Sequence, residues 1–182
     1  MSEDADQGVA QGVAQGVAQG VTQDSAKAST QGCTQISLLA PQDFAPEIHR
    51  LFQRAYAVEA RLINVRDFPP LARSCSAIQE AKSEFFGART EADLRGVIEL
   101  EHQSGVVLIA SLVVDPDYFR QGLARLLLQH VISIYAKDFL RVETATANRP
   151  AMALYASLGF ELRGEFAKAD GLRMSRLERK RN

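Results

Sequence analysis

The chain has 182 residues, enough for one domain and a tail, and such a domain buries about 70% of its unfolded surface without needing disulfides or metal. Its 22 acidic and 21 basic residues nearly cancel, which gives no electrostatic footing for nucleic acid or a membrane as partner. Cys33 and Cys75 lack metal-ligand spacing, no apolar run would span a bilayer, and no basic start leads into an apolar stretch, so a cytoplasmic protein with no metal and no membrane anchor is expected.

From Gln7 to Gln23 the sequence repeats Gln-Gly-Val-Ala, with Thr22 closing the last copy. A period of four puts a glycine in every helical turn and offers a strand no alternating apolar face. Each glycine also raises the entropy lost on ordering. Residues 1–32 therefore read as a disordered low-complexity tail and 33–182 as the folded domain. Ile36–Leu39, stopped by Pro41, reads as a first strand. Phe44, Ile48, Leu51, Phe52, Ala55 and Tyr56 fall at steps of three and four, the stripe of a helix whose first turn suits Pro41 and Asp43. Asp67-Phe-Pro-Pro breaks the pattern, and a second helix is expected from Leu71 to about Lys82.

Glu84–Arg89 and Leu94–Leu100 read as strands. The latter joins Val106–Val114 through His102-Gln-Ser-Gly105. Val106–Val114 is almost continuously apolar, as expected of a central strand buried on both faces. Asp115-Pro-Asp117 ends it. A helix from Gly122 to about Tyr135 would turn Leu123, Leu126, Leu127, Val131 and Ile134 inward. Arg141–Thr146 reads as a strand, and Pro150–Leu158 as a helix stopped by Gly159 as a left-handed cap. Two more strands around Ala169-Asp-Gly171 end the chain, with the basic stretch Arg173–Arg181 expected as a solvated strand edge and tail. The order β-α-α-β-β-β-α-β-α-β-β describes an α/β (α+β) domain, a mixed sheet flanked by helices.

Two segments carry chemistry. In Val113-Val-Asp-Pro-Asp-Tyr-Phe-Arg-Gln-Gly-Leu-Ala-Arg125 a buried strand ends, a short loop follows, and a helix starts at a small residue. Free N–H groups at a helix start, backed by the positive end of the helix dipole, suit an anionic diphosphate. Gly122 and Ala124 would let a bulky ligand approach the backbone, and Arg120 and Arg125 add positive charge. A glycine that merely permits a tight turn is the alternative. Neither Gly-x-Gly-x-x-Gly nor Gly-Lys-Ser/Thr occurs, which disfavours dinucleotide-binding and P-loop folds. In the second segment Asn148 stands before Pro150 as an N-cap, and Tyr155 follows about two turns into the helix. A simple cap and a core tyrosine are the alternatives there.

Together the two segments resemble the GNAT superfamily of N-acetyltransferases. The acyl-CoA turn of that family, Gln/Arg-x-x-Gly-x-Gly/Ala after a strand ending Val-x-Pro, is matched at Val114-Asp-Pro116 and Phe119-Arg-Gln-Gly122-Leu-Ala124. Its later segment, Asn-x-x-Ala-x-x-x-Tyr-x-x-x-Gly-Phe, is matched at Asn148, Ala151, Tyr155, Gly159 and Phe160. The resemblance covers about residues 36–177. It implies a mixed, mostly antiparallel central sheet whose strands splay apart. The pantetheine arm of acetyl-CoA would pair with Leu112, Val113 and Val114. The diphosphate would sit on the turn Phe119, Arg120, Gln121, Gly122, Leu123, Ala124 and Arg125, mainly on amides from Arg120 onward. Asn148 would position the cofactor or the incoming amine, and Tyr155 would protonate the CoA sulfur.

The implied activity is transfer of an acetyl group from acetyl-CoA, as co-substrate, to a primary amine on a small molecule or peptide, by direct attack in a ternary complex. Dimers are common in the superfamily, so a homodimer is also open. The chain departs from the pattern at Phe119, where Gln or Arg is usual, and at Leu108, where several enzymes keep a Glu that serves as base. Glu143 resembles the base of some amino-terminal peptide acetyltransferases of the family and is the next candidate, with an ordinary strand-face carboxylate as the alternative. Glu99, Glu101 and His102 are weaker ones. The competing reading is a non-catalytic acyl-CoA-binding sensor or regulatory module. A tRNA-directed toxin of the superfamily is disfavoured by the near-zero net charge.

Overall fold

The computed structural model describes residues 34–180; the segment expected as a tail, together with Arg181 and Asn182, lies outside them. In chain order it contains β1 (Gln35–Leu39), α1 (Pro41–Leu62), a tight helical turn (Pro69–Ala72), α2 (Cys75–Gln79), β2 (Glu84–Arg89), β3 (Leu94–Gln103) and β4 (Val106–Val114). A second tight turn (Pro116–Tyr118), α3 (Leu123–Ile134), β5 (Phe139–Ala145), α4 (Arg149–Ser157), β6 (Glu161–Ala167) and β7 (Arg173–Arg179) follow. The strands form one 7-stranded sheet in the order β1-β2-β3-β4-β5-β7-β6. Every neighbouring pair is antiparallel except β4 and β5, so the sheet is mixed and mostly antiparallel, flanked by helices, as expected.

α1 buries Ala45, Ile48, Leu51, Phe52, Ala55, Tyr56 and Ala60 along one stripe. Its C-terminus closes with Asn64 in the left-handed region (φ 56). Val65 N–H then reaches the Ala60 carbonyl at 2.9 Å and Asn64 N–H the Arg61 carbonyl at 3.3 Å, the paired bonds that satisfy the last carbonyls of a helix. The expected second helix is much shorter than Leu71–Lys82. Ser74 accepts from Ala77 N–H at 3.1 Å and starts α2 afresh, because Arg73 before it is extended and turned toward β3. Between β3 and β4 the turn is tighter than His102–Gly105. Gln103 pairs with Val106, and Ser104 and Gly105 both have positive φ (41 and 85), the two-residue hairpin that matches strand twist.

Helices cover both faces. One core gathers α1 residues with Ile78, Phe85, Val97 and Val113; the other gathers Leu127, Leu128 and Val131 of α3 and Tyr155 of α4 with Ile98, Leu100, Ile109, Leu140, Val142 and Leu177. Full burial of each large apolar side chain contributes about 1.5–3 kcal/mol. On α3 the inner face is Leu123, Leu127, Leu128 and Val131. Leu126 and Ile134, expected inside, are 41% and 47% exposed: Leu126 sits one step off that face and Ile134 lies in the last turn.

The basic C-terminal stretch is not a sheet edge. β7 inserts between β5 and β6 and pairs with both, and its arginines meet acids on those neighbours: Arg173 meets Glu165 at 3.0 Å and Arg176 meets Glu143 at 2.9 Å. The edge strand on this side of the sheet is β6, whose residues are mostly exposed.

Candidate active site

The central feature is a split between β4 and β5. They pair in parallel only from Val106–Ile109 against Phe139–Val142. On its other side β4 carries a bulge: Leu100 faces Ile109 and Glu99 faces Ser111, which leaves Ala110 unmatched. A bulge bends its strand and increases the local twist, and β4 leaves β5 at this residue. The expectation of a strand buried on both faces fails here, since Ala110 is exposed. Beyond it, the β5-facing edge of residues 110–114 has no strand partner among the described residues. β5 continues along β7 as far as Ala145 opposite Met174. A cavity of about 160 Å³ fills the gap, lined by residues of β4 and β5 (Ser111, Leu112, Glu143), α1 (Tyr56, Glu59) and α4 (Asn148, Tyr155). The split thus lets helices on opposite faces of the sheet wall one cleft.

The turn after β4 is pinned in its first half and open in its second. Asp115, 8% exposed, accepts from Asp117 N–H at 3.0 Å and from Arg54 Nη1 at 2.7 Å. Tyr118 N–H donates to the Asp115 carbonyl at 2.8 Å, and Phe119 N–H to the Pro116 carbonyl at 3.2 Å. From there the backbone changes hand twice. Arg120 has φ 63 and Gly122 has φ 82, the former at a steric cost of about 1–2 kcal/mol for a residue with a side chain. None of the N–H groups from Arg120 to Arg125 has a partner among the described residues; the first bonded amide of α3 is Leu126, to the Gly122 carbonyl at 2.9 Å. Nothing lies within 4 Å of where a side chain on Gly122 would begin. Gln121 and Gly122 are exposed, Leu123 is buried and Ala124 half-buried. Phe119 is 42% exposed. Arg120 is exposed, whereas Arg125 bonds Ser157 Oγ of α4 at 2.8 Å.

On α4, Asn148 caps the helix by accepting from Ala151 N–H at 3.2 Å. Its Nδ2 donates to Glu59 Oε1 of α1 at 3.0 Å, so its side chain does both tasks. At the other end Gly159 takes φ 82, and Phe160 N–H returns to the Tyr155 carbonyl at 3.1 Å. That cap brings the residue after the glycine against the residue five before it, which sets the Phe160 ring edge-on to Tyr155 at 5.5 Å. The Tyr-x-x-x-Gly-Phe spacing therefore aims the tyrosine. Tyr155 is 4% exposed and its hydroxyl has no hydrogen bond among the described residues. Burial holds its proton well above the ordinary phenol range, with the neighbouring Glu59 and Tyr56 adding to the effect.

The carboxylates considered from sequence fall in different places. Glu143 lines the cleft and is bound by Arg176 Nε at 2.9 Å. Glu99 does not line it. It is 2% exposed and fully engaged by Arg73 (2.7 and 2.9 Å), Ser83 (2.6 Å) and Ser111 (3.0 Å), a buried acid locked to its cation. Glu101 and His102 are exposed at the hairpin end, where His102 meets Glu84 at 3.1 Å. Sequence reasoning placed Glu59, with Arg61, Asp67 and Arg73, in the helical region between Pro41 and Lys82 expected to shape the acceptor pocket, but gave it no role. A signal existed, because Glu59 follows Tyr56 by three and Ala55 by four residues and so falls on the apolar stripe of α1. Burial pushes its carboxyl above the usual range, and only partly does the Asn148 hydrogen bond pull it back. Among the described residues there is no cluster of acids, histidines and cysteines suited to a metal, and no helix long and apolar enough to cross a membrane.

Residues 45–160 match the acetyltransferase (GNAT) family. The chain is 37% identical over 123 residues to the UPF0157 protein YqkA of Bacillus subtilis (strain 168), across 66% of this chain and 36% of that protein. It is 49% identical over 53 residues to the ribosomal protein bS18-alanine N-acetyltransferase of Escherichia coli (strain K12), across 28% of this chain and 36% of that one. The chain thus spans 36% of the length of each of these curated relatives. Among solved structures, the ribosomal-protein-S18-alanine N-acetyltransferase from Escherichia coli superposes with a TM-score of 0.64 at 25% identity, over 81% of this chain and 93% of that one. PaiA N-acetyltransferase from Thermoplasma acidophilum, in complex with coenzyme A, shares the fold with a TM-score of 0.64 at 15% identity, over 80% of this chain and 99% of that one.

Proposed function

This chain belongs to the GNAT family of acetyltransferases, which are acyltransferases, and on that premise we propose that it moves an acetyl group from acetyl-CoA to a primary amine by direct attack in a ternary complex. The observation that carries the reading is the run of amides from Arg120 to Arg125, at the start of α3, that have no partner among the described residues. Oriented N–H groups with the helix dipole behind them attract an anionic diphosphate. The residues fit the cofactor in a second respect, since the free edge of Leu112, Val113 and Val114 offers backbone groups to a pantetheine amide.

Acetyl-CoA supplies the activated acyl group; the chain supplies place and protons. The Tyr155 hydroxyl keeps its proton across neutral pH, as a donor to a leaving sulfur must. Glu143 is the proposed acceptor of the amine's proton: it lines the cleft, and Arg176 Nε holds its carboxylate in place at 2.9 Å. Asn148 holds the start of α4 to α1 and so keeps the two walls in register. Excluding water from a narrow cleft strengthens each of these interactions.

Mixing the full chain with acetyl-CoA and a panel of primary amines, and following free CoA thiol, tests the proposal. Thiol release that depends on amine is expected. CoA binding with no release from any amine would point instead to a non-catalytic acyl-CoA-binding module.

A further inference from the structure

Glu59 is a half-buried carboxylate in the cleft that makes no salt bridge among the described residues. Other carboxylates of the fold are treated differently. Glu99 has Arg73, Glu143 has Arg176 and Glu178 has Arg141. Asp170, the other acid lining the cleft, is exposed in its turn. Removing an ionised carboxylate from water is costly unless a cation or several hydrogen bonds compensate. Among the described residues Glu59 has one side-chain hydrogen bond, from a neutral amide, at 3.0 Å. Its position on the inner stripe of α1 makes this a built feature, since rotation of the helix to expose it would strip Tyr56 and Ala60 from the core.

One side of the cleft beside it is apolar. Tyr56 and Phe68 meet edge to face at 5.7 Å, and Pro69 and Pro70 continue the same side of the cleft. A cation that belongs here comes with an apolar stem. We infer that Glu59 seats the ammonium of the acceptor, and that the acceptor is a primary amine on an apolar stem with no carboxylate next to its nitrogen. This rests on the acetyltransferase reading above and adds the acceptor class to it. A carboxylate beside the reacting nitrogen would be drawn toward Glu59, whose charge no cation among the described residues offsets, while Lys168, which also lines the cleft, is exposed and screened by water. A small monoamine and the amino terminus of a peptide both meet the description.

Three acceptors that share one stem test the inference in the full chain: phenethylamine, phenylalanine, and a tripeptide that begins with phenylalanine. Phenethylamine or the tripeptide should exceed phenylalanine in kcat/KM by about tenfold or more. Whichever of the two leads distinguishes a free amine from a chain terminus. In Glu59→Gln, KM for the preferred acceptor should rise by about tenfold while KM for acetyl-CoA stays within about twofold, and Glu59→Asp should recover part of the loss. Calorimetric binding of acetyl-CoA checks that each variant is folded, and the selectivity of the native chain stands even where a variant is not. A kcat/KM for phenylalanine equal to or above that of both phenethylamine and the tripeptide, or an unchanged acceptor KM in a folded Glu59→Gln, overturns the assignment and leaves the transferase reading intact. No thiol release from the native chain with any acceptor defeats both.

Discussion

Arg54 of α1 holds Asp115 at the end of β4, with Nη1 2.7 Å from Oδ2, and reaches Asp117 with Nη2 at 2.9 Å. The two acids lie in the segment that leads into the turn of open amides. The helix that brings Glu59 to the cleft thus also steadies the turn proposed to bind the diphosphate.

Arg54→Ala frees the first half of that turn without touching the amides themselves. KM for acetyl-CoA should rise by about three- to tenfold while kcat changes by less than about twofold. Added salt should raise KM for acetyl-CoA in the native enzyme more steeply than in the variant. An equal fall in kcat and no change in KM would show that the ion pairs serve the chemistry rather than the turn.

Tyr155→Phe removes a hydroxyl that has no hydrogen bond among the described residues, and retains the ring against Phe160. The melting temperature should stay close to native. Turnover should fall by about 100-fold, with KM for acetyl-CoA within about threefold. Unchanged kcat would remove Tyr155 from the mechanism.

Gly122→Glu places bulk and negative charge where nothing in the fold stands in the way. The left-handed backbone at φ 82 resists any side chain by about 1–2 kcal/mol, and Gly122→Ala controls for that strain. Calorimetry should find CoA binding abolished in the glutamate variant and retained to within about tenfold in the alanine variant. Normal affinity in Gly122→Glu would defeat the assignment of the turn.

Glu59 also leaves a mark on stability. Burial raises its carboxyl above the usual value, so the folded chain holds that proton more firmly than the unfolded chain does. Below the unfolded value the group is neutral in both states and costs nothing. As pH climbs from the unfolded to the folded value a penalty builds, and above the folded value it is constant. Glu59→Gln should therefore raise the melting temperature at about pH 8 and leave it nearly unchanged at about pH 3.5. Melting curves that differ equally at both pH values would mean that the charge of Glu59 is not what the fold pays for.

Much of the fold was legible because its causes are local. The stripe of α1, the cap at Asn148, the stop at Gly159 and the Val-x-Pro exit from β4 each depend on residues a few places apart, and the chain adopts them much as their spacing requires. The open turn could be anticipated for the same reason, since a helix start that lacks a capping side chain must leave its first amides free. Where local rules competed, the reading failed. Leu71–Lys82 carries a helical pattern, but Arg73 leaves it to satisfy the buried Glu99, and Ser74 restarts the helix.

Sequence alone determined most of the elements and the two motifs, because hydrogen bonds and periodicity act between neighbours in the chain. Tertiary structure alone decided three things: the insertion of β7 between β5 and β6, the departure of β4 from β5 at Ala110, and the meeting of Glu59 with Asn148 across 89 residues. Each depends on which surfaces pack together once the chain has collapsed, and a carboxylate acquires its meaning only from the partners that packing brings to it or withholds.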